Sequence, residues 1–182
     1  MRIISGKWGG LSIKPPANMP YTRPTTDMAK EGLFNVLENN LVFDQLKSLD
    51  LFGGTGSITY ELASRGVPDL TIVEKDPDMH AFILKKVKEM NIPNIKVIKN
   101  EVFRFITQCT EKYDLIFAGP PYALSEIDEL PLAIFKHGLL NENGWFILEH
   151  TPRNDYKNFA QYRAERKYGT TIFSIFINNE KK

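Results

Sequence analysis

The chain has 182 residues, the length of a single domain on a scale of about 100–200 residues per domain, and 42% of them are apolar, enough for one continuous core. Lys+Arg 23 against Asp+Glu 22 leaves a net charge of +1, which excludes a disordered polyelectrolyte and a uniformly basic nucleic-acid coat. A lone Cys109 excludes a disulfide framework, and His80, His137 and His150 lie at no zinc-site spacing, so no metal is expected.

In chain order, residues 1–26 hold Arg2, Lys7, Lys14 and Arg23 but no acid, so this arm is locally basic. Its glycines and prolines interrupt any signal-peptide core, and no later apolar run approaches the ~18 residues of a membrane span. A cytoplasmic protein is the expectation. The arm reads as a hairpin of Arg2–Ile4 against Leu11–Ile13 around Gly6, Gly9 and Gly10, followed by an extended Pro15–Pro24 segment. The expected organisation is an arm over 1–24 and one domain over 25–182.

Thr25, Thr26 and Asp27 offer caps to a helix carrying Leu33, Phe34, Val36 and Leu37. Strands are then expected at Leu46–Phe52, Leu70–Val73, Ile95–Ile98, Tyr113–Ala118 and Gly144–Leu148. Helices are expected between them at Ser57–Arg65, from Asp76-Pro77 through Met90, at Val102–Cys109 and at Leu130–His137. Such alternation means a parallel sheet covered on both faces. Tyr162–Lys167 and Thr171–Asn178 are separated only by Tyr168-Gly169-Thr170, too few residues for a parallel crossover, so an antiparallel hairpin closes the sheet.

Chemistry is expected at the strand tips, where doubly wound sheets hold ligands. Strand one runs into Asp50-Leu51-Phe52-Gly53-Gly54-Thr55-Gly56; a dinucleotide fingerprint would carry glycine where Thr59 stands, and no phosphate-loop Gly-Lys-Ser/Thr follows. An acid heading such a loop suits a ligand with an ammonium group and no pyrophosphate. Glu74 ends the second strand and can accept from two ribose hydroxyls. Beyond the third strand, Glu101 can accept from an exocyclic amine and the Val102 amide can donate to a ring nitrogen. The fourth strand ends in Gly119-Pro120-Pro121-Tyr122, a stiff loop rich in carbonyl acceptors with an aromatic face on which a base can stack.

These residues together resemble the Rossmann-like S-adenosylmethionine-dependent methyltransferases that act on amino groups. The Arg23-Pro24-Thr25-Thr26-Asp27 segment, with Lys30-Glu31 and Leu33-Phe34-Asn35, narrows the resemblance to the bacterial RsmD-type group, which methylates a guanine N2 in small-subunit ribosomal RNA. The resemblance implies an α/β, seven-stranded, mostly parallel sheet with a reversed C-terminal strand. It also implies Asp50 near the methionine end of the cofactor, Glu74 on its ribose, Glu101 and Val102 on its adenine, and Phe52, Gly54 and Gly56 along the same loop. Arg23, Thr25 and Thr26 would lie over the cofactor and the RNA entrance, with Arg2, Lys7 and Lys14 tracking phosphates. The partner implied is ribosomal RNA within the small subunit, approached by a monomer.

One position departs from the pattern. Such families carry Asp or Asn where this chain has Gly119, and that side chain accepts a hydrogen bond from the target amine. Its loss is worth roughly 10²–10³ in rate by analogy with oxyanion-hole deletions. The carbonyls of Gly119 and Pro120, a water, or Glu149 at the fifth strand tip are the candidate replacements. Two alternatives follow: a cofactor- and RNA-binding assembly factor without turnover, or the same chemistry on another amine such as adenine in DNA or a protein glutamine.

Overall fold

A computed structural model describes residues 1–19 and 24–179. Among the described residues, α-helices and strands follow one another as α1 (Asp27–Asn40), β1 (Lys47–Asp50), α2 (Ser57–Ser64), β2 (Asp69–Glu74), α3 (Pro77–Glu89), β3 (Ile95–Lys99), α4 (Val102–Gln108), β4 (Tyr113–Ala118), α5 (Glu129–Lys136), β5 (Leu140–His150), β6 (Tyr162–Tyr168) and β7 (Thr171–Ile177), with one 3-10 turn at Phe43–Gln45 before β1. The helices start where capping chemistry permits. Thr26 accepts the Ala29 amide at α1, and Asp76 accepts the Asp78 and Met79 amides at α3, with Pro77 at the first turn where its missing N–H costs nothing.

The strands form one seven-stranded sheet in the order β3-β2-β1-β4-β5-β7-β6, all parallel except β7, which runs antiparallel to both of its neighbours. Alternating strand residues feed two cores. Leu70, Ile72, Leu115 and Phe117 pack with Leu33 and Ile58 on the α1–α3 side. Leu49, Leu51, Val73 and Ile116 pack with Ile106 and Ile134 on the α4–α5 side. Strands covered on both faces are mostly apolar, and each large side chain so buried contributes about 1.5–3 kcal/mol. Because β1 pairs with β2 on one side and β4 on the other, the winding reverses between β1 and β4, and a crevice opens outside their carboxyl ends.

Two features differ from the expected elements. β5 begins at Leu140, ahead of the expected start at Gly144; a register shift against β4 between Tyr113 and Leu115 absorbs the residues between. At its far end β5 extends through Glu149 and His150, which pair with Phe173 and Ile172 of β7. The N-terminal hairpin closes through one bridge, Arg2 to Ser12, rather than through two full strands.

The basic arm is docked. Ile3 and Ile13 are buried in the main core, and the Ile4 and Ser5 amides donate to the two carboxylate oxygens of Glu61 at 2.9 and 3.1 Å. Lys30 Nζ donates to the Arg2 carbonyl at 2.6 Å, and the Trp8 amide donates to Ser64 Oγ at 3.0 Å. At Gly6, φ is +82° and an added Cβ would stand 2.0 Å from the Ser64 carbonyl oxygen, so only glycine lets the hairpin lie this close to α2.

Candidate active site

A crevice of about 780 Å³ lies at the winding reversal, within the range of roughly 300–1,000 Å³ that suits a small-molecule ligand. It gathers Asp50, Phe52, Gly54, Glu74, Glu101, Val102, Gly119, Pro120, Pro121, Tyr122 and Thr25, residues drawn from four strand tips and the segment before α1. Glu149 joins them from β5.

Asp50 is 3% exposed. Its Oδ2 accepts from Thr59 Oγ1 at 3.0 Å, and the Phe52 amide also favours the charged form, while Oδ1 has no hydrogen bond of normal geometry. Burial pushes this carboxyl well above the usual carboxylate range, against the hydrogen bond from Thr59, and the charges of Glu74 and Glu149 push it further. Thr59, notable in the sequence only as the place of an absent glycine, is therefore the residue that orients Asp50.

Glu74 holds the loop. Its Oε2 accepts the Gly54 amide at 2.7 Å and its Oε1 accepts the Asp76 amide at 2.9 Å, so one carboxylate ties the glycine turn to the start of α3 and keeps a further lone pair on each oxygen. Gly54 and Gly56 both have positive φ, +54° and +83°. Gly56 does not line the crevice. It starts α2, and a Cβ there would meet the Tyr60 ring at 2.4 Å, so it shapes the loop through packing. The buried Tyr60 hydroxyl has no partner.

Glu101 is exposed and caps α4, accepting the Phe103 and Arg104 amides at 3.0 and 2.9 Å. Val102 follows as the first helical residue, whose N–H has no intrahelical acceptor by position. Thr26 likewise spends its oxygen on a helix cap and does not line the crevice. Thr25 does line it and donates from Oγ1 to Glu149 Oε2 at 2.9 Å.

Glu149 is the residue whose direction no sequence pattern could give. It is 6% exposed, and burial pushes its carboxyl up to about 7, against hydrogen bonds from Thr25 and Tyr122 that favour the charged form. Gly119 lies beside it because Ala118 and Leu148 are register partners in the parallel β4–β5 pair.

The arm residues lie away from this centre. Arg2 is exposed and approaches Asp27 at 3.5 Å, Lys7 stands over the Trp8 ring at 4.8 Å from its centroid, and Lys14 is exposed. Arg23 lies outside the described residues. Among the described residues, no group of His, Cys, Asp and Glu could hold a metal ion, and no helix is long and apolar enough to cross a membrane.

Comparison with known proteins gives the family and the fold. Residues 1–177 match the model of the family described as Conserved hypothetical protein 95. The ribosomal RNA small subunit methyltransferase D of Escherichia coli K12 is 31% identical over 149 residues, covering 82% of this chain and 71% of that protein. The protein of the same name from Buchnera aphidicola subsp. Baizongia pistaciae is 27% identical, covering 98% of this chain and 92% of its own. Among solved structures, an Escherichia coli protein carried under a methyltransferase name superposes with a TM-score of 0.85 at 24% identity, covering 100% of this chain and 99% of that one. An RNA methyltransferase from Salinibacter ruber, solved in complex with S-adenosyl-L-homocysteine, superposes with a TM-score of 0.67 at 15% identity, covering 88% and 96%. At these identities the two structures are alike in fold.

Proposed function

This chain belongs to the Conserved hypothetical protein 95 family, together with the ribosomal RNA small subunit methyltransferases D, and from that premise we propose that it transfers a methyl group from S-adenosylmethionine to the N2 amine of a guanine in small-subunit ribosomal RNA. The observation that carries the reading is the buried carboxyl of Asp50, with an unpartnered Oδ1, sharing one crevice with the acceptor-rich Gly119–Tyr122 edge. An orphan carboxyl oxygen in a walled crevice fits an ammonium group, and the donors and acceptors on the neighbouring tips fit a nucleoside.

When bound, S-adenosylmethionine supplies a methyl group already activated on a sulfonium. The protein's part is to bind, orient and exclude water. Asp50, held by Thr59, takes the ammonium, and Glu74 turns its remaining lone pairs to the ribose hydroxyls while fixing the Gly54 turn. The Val102 N–H meets an adenine ring nitrogen, and Glu101 receives the exocyclic amine on the lone pairs that capping leaves free. Pro120 and Pro121 bring no N–H to the fourth strand tip; the Pro121 carbonyl accepts the Leu124 amide at 2.9 Å, which leaves the Gly119 and Pro120 carbonyls as acceptors for the entering base, and Tyr122 offers a ring for stacking. Phe52 walls the loop side. Thr25 covers the crevice from the segment joining the arm to α1, with Lys7, Lys14 and Arg2 on phosphates. Most of the rate enhancement comes from holding two reactants in line. In this reading the protein works as a monomer in the cytoplasm on the small ribosomal subunit.

The test is direct. Purified protein, labelled S-adenosylmethionine and unmodified small subunits are expected to yield labelled N2-methylguanosine on nucleoside digestion. Cofactor bound without any labelled nucleoside after long incubation favours the binding factor without turnover, and label in N6-methyladenosine moves the substrate to another amine.

A further inference from the structure

We propose that Glu149 is the side-chain acceptor for the amine that this site methylates, and that it receives the proton the amine loses. The inference rests on the reading above, that an exocyclic amine is presented at the Gly119–Tyr122 edge. Three observations converge on it.

The first is position. A Cβ built on Gly119 would stand 3.1 Å from Glu149 Oε2 and 3.1 Å from the Phe117 ring. The carboxylate therefore borders the space that a side chain at residue 119 would enter, beside an edge where the two prolines bring no N–H and the Pro121 carbonyl is taken by the Leu124 amide. Residues 119 and 149 share one space, and the acidic group comes from β5.

The second is setting. Glu149 faces Phe117 from β4, the Thr25 hydroxyl from the segment before α1, the Tyr122 hydroxyl from the loop after β4, and the Asp50 carboxyl from β1 across the crevice; its cross-strand partner on β7 is Phe173. Among the described residues no lysine, arginine or histidine forms an ion pair with it. A carboxyl so buried with no ion pair among the described residues is costly, and an apolar residue opposite Phe173 would serve the sheet better. Two hydroxyls hold it in one orientation, the preorganisation an acceptor needs before the amine arrives.

The third is chemistry. An exocyclic amine conjugated with a ring is a weak nucleophile, and an acceptor on its N–H returns electron density to nitrogen. The nitrogen lone pair forms the new N–C bond while the methyl carbon's bond to sulfur breaks with its pair remaining on sulfur. The nitrogen, now positively charged, gives one N–H proton to the Glu149 carboxylate, which passes it to water as product leaves. Burial brings the carboxyl up to about 7, so near neutrality it can both lose and regain that proton.

The experiment compares wild type, Glu149→Ala, Glu149→Gln, Gly119→Asp and the double variant Glu149→Ala/Gly119→Asp. S-adenosylmethionine binding is read by calorimetry and single-turnover transfer on unmodified small subunits across pH. The carboxyl stretch of Glu149 is read by infrared difference against Glu149→Gln. Expected are cofactor affinities within about threefold of wild type for both Glu149 variants, with transfer lowered about 10²–10³-fold in Glu149→Ala, the loss typical of one preorganised transition-state hydrogen bond. Glu149→Gln, nearly isosteric, keeps an acceptor oxygen and falls less, but lacks the rate limb near pH 7 that wild type shows. Gly119→Asp alone is impaired because two carboxyls compete for one volume. In the double variant that carboxyl has room, and transfer recovers at least about tenfold over Glu149→Ala. Transfer by wild type that stays within about threefold in both Glu149 variants overturns the inference alone. So does an infrared midpoint below about 5, the range of an ordinary carboxyl, or a fall in transfer matched by an equal fall in cofactor affinity. Absence of transfer in wild type overturns the functional reading and this inference with it.

Discussion

Among the described residues Asp50 forms no ion pair, and its burial with Glu74 and Glu149 nearby holds the carboxyl well above the usual range. A ligand ammonium placed against Oδ1 reverses that balance, since an opposite charge favours the carboxylate. The sign follows: the free protein holds a proton that the complex releases, so affinity rises with pH across the window in which Asp50 is protonated only in the free state. Calorimetry of S-adenosylmethionine binding in two buffers of different ionisation enthalpy is expected to give two apparent enthalpies. Asp50→Asn should abolish that difference and weaken binding by about 10–100-fold, the worth of a charged hydrogen bond of roughly 1.5–3 kcal/mol. Equal enthalpies in both buffers for wild type would place the ammonium elsewhere. At this scale the sequence makes Asp50 and Glu74 legible because an acid at the end of an apolar strand, beside glycines, has few other readings. It leaves Glu149 as a bare possibility, since its direction is set by the Thr25 and Tyr122 hydroxyls, neither of which is near it in the chain.

Elements are legible for a related reason: caps and periodicity are local. Asp76-Pro77 starts α3 and the Tyr113–Ala118 run forms β4 because the residues that decide these boundaries lie within them. β5 is not local. Its extra length at both ends comes from pairing with β4 and β7, which no turn residue announces. The docking of the arm is not local either, because what holds it is a buried charge cluster assembled from α1 and α2. Lys30 and Glu61 are 1% and 0% exposed and stand 3.5 Å apart, and Arg65 reaches Glu61 at 2.9 Å and Glu38 at 3.0 Å. Burial draws the Lys30 ammonium below its ordinary value, against the pull of Glu61. Glu61→Ala would leave Lys30 without its carboxylate and strip the Ile4 and Ser5 amides of their acceptor. A loss of about 3–5 kcal/mol in urea unfolding is expected, as for other buried pairs broken from one side, together with faster trypsin cleavage after Lys7. Unaltered cleavage would show that Ile3 and Ile13 alone suffice to seat the hairpin.

For the whole molecule, a crevice that collects carboxyls from adjacent strand tips places binding and stability in opposition. Glu149 has an ordinary value of 4.5 and is raised to about 7 in the folded chain, so between those limits the folded protein holds a proton the unfolded chain has released. Unfolding then releases protons, and this group's contribution falls as pH rises from 4.5 toward 7 and stays low above it, by about 1–3 kcal/mol. Asp50 acts in the same direction. Other groups act oppositely: burial lowers the His150 imidazole, which favours folding as pH rises, and Lys47 lowers Glu111, whose contribution disappears in acid. The melting curve of wild type therefore mixes signs, and only the difference between variant and wild type isolates Glu149. Glu149→Gln is expected to melt several degrees above wild type at pH 8, at roughly 2–4 °C per kcal/mol for a chain of this size, with the gap closing by pH 5, where Glu149 is protonated. The same substitution lowers transfer, so the fold would be firmer where the chemistry is poorer. Saturating S-adenosylmethionine should raise the melting temperature of wild type by an amount that grows with pH, because Asp50 must ionise to hold the ammonium. A Glu149→Gln protein that melts at or below wild type at pH 8 would mean that Thr25 and Tyr122 stabilise the charged carboxylate more than burial penalises it. The strand tip would then be a structural anchor for the arm.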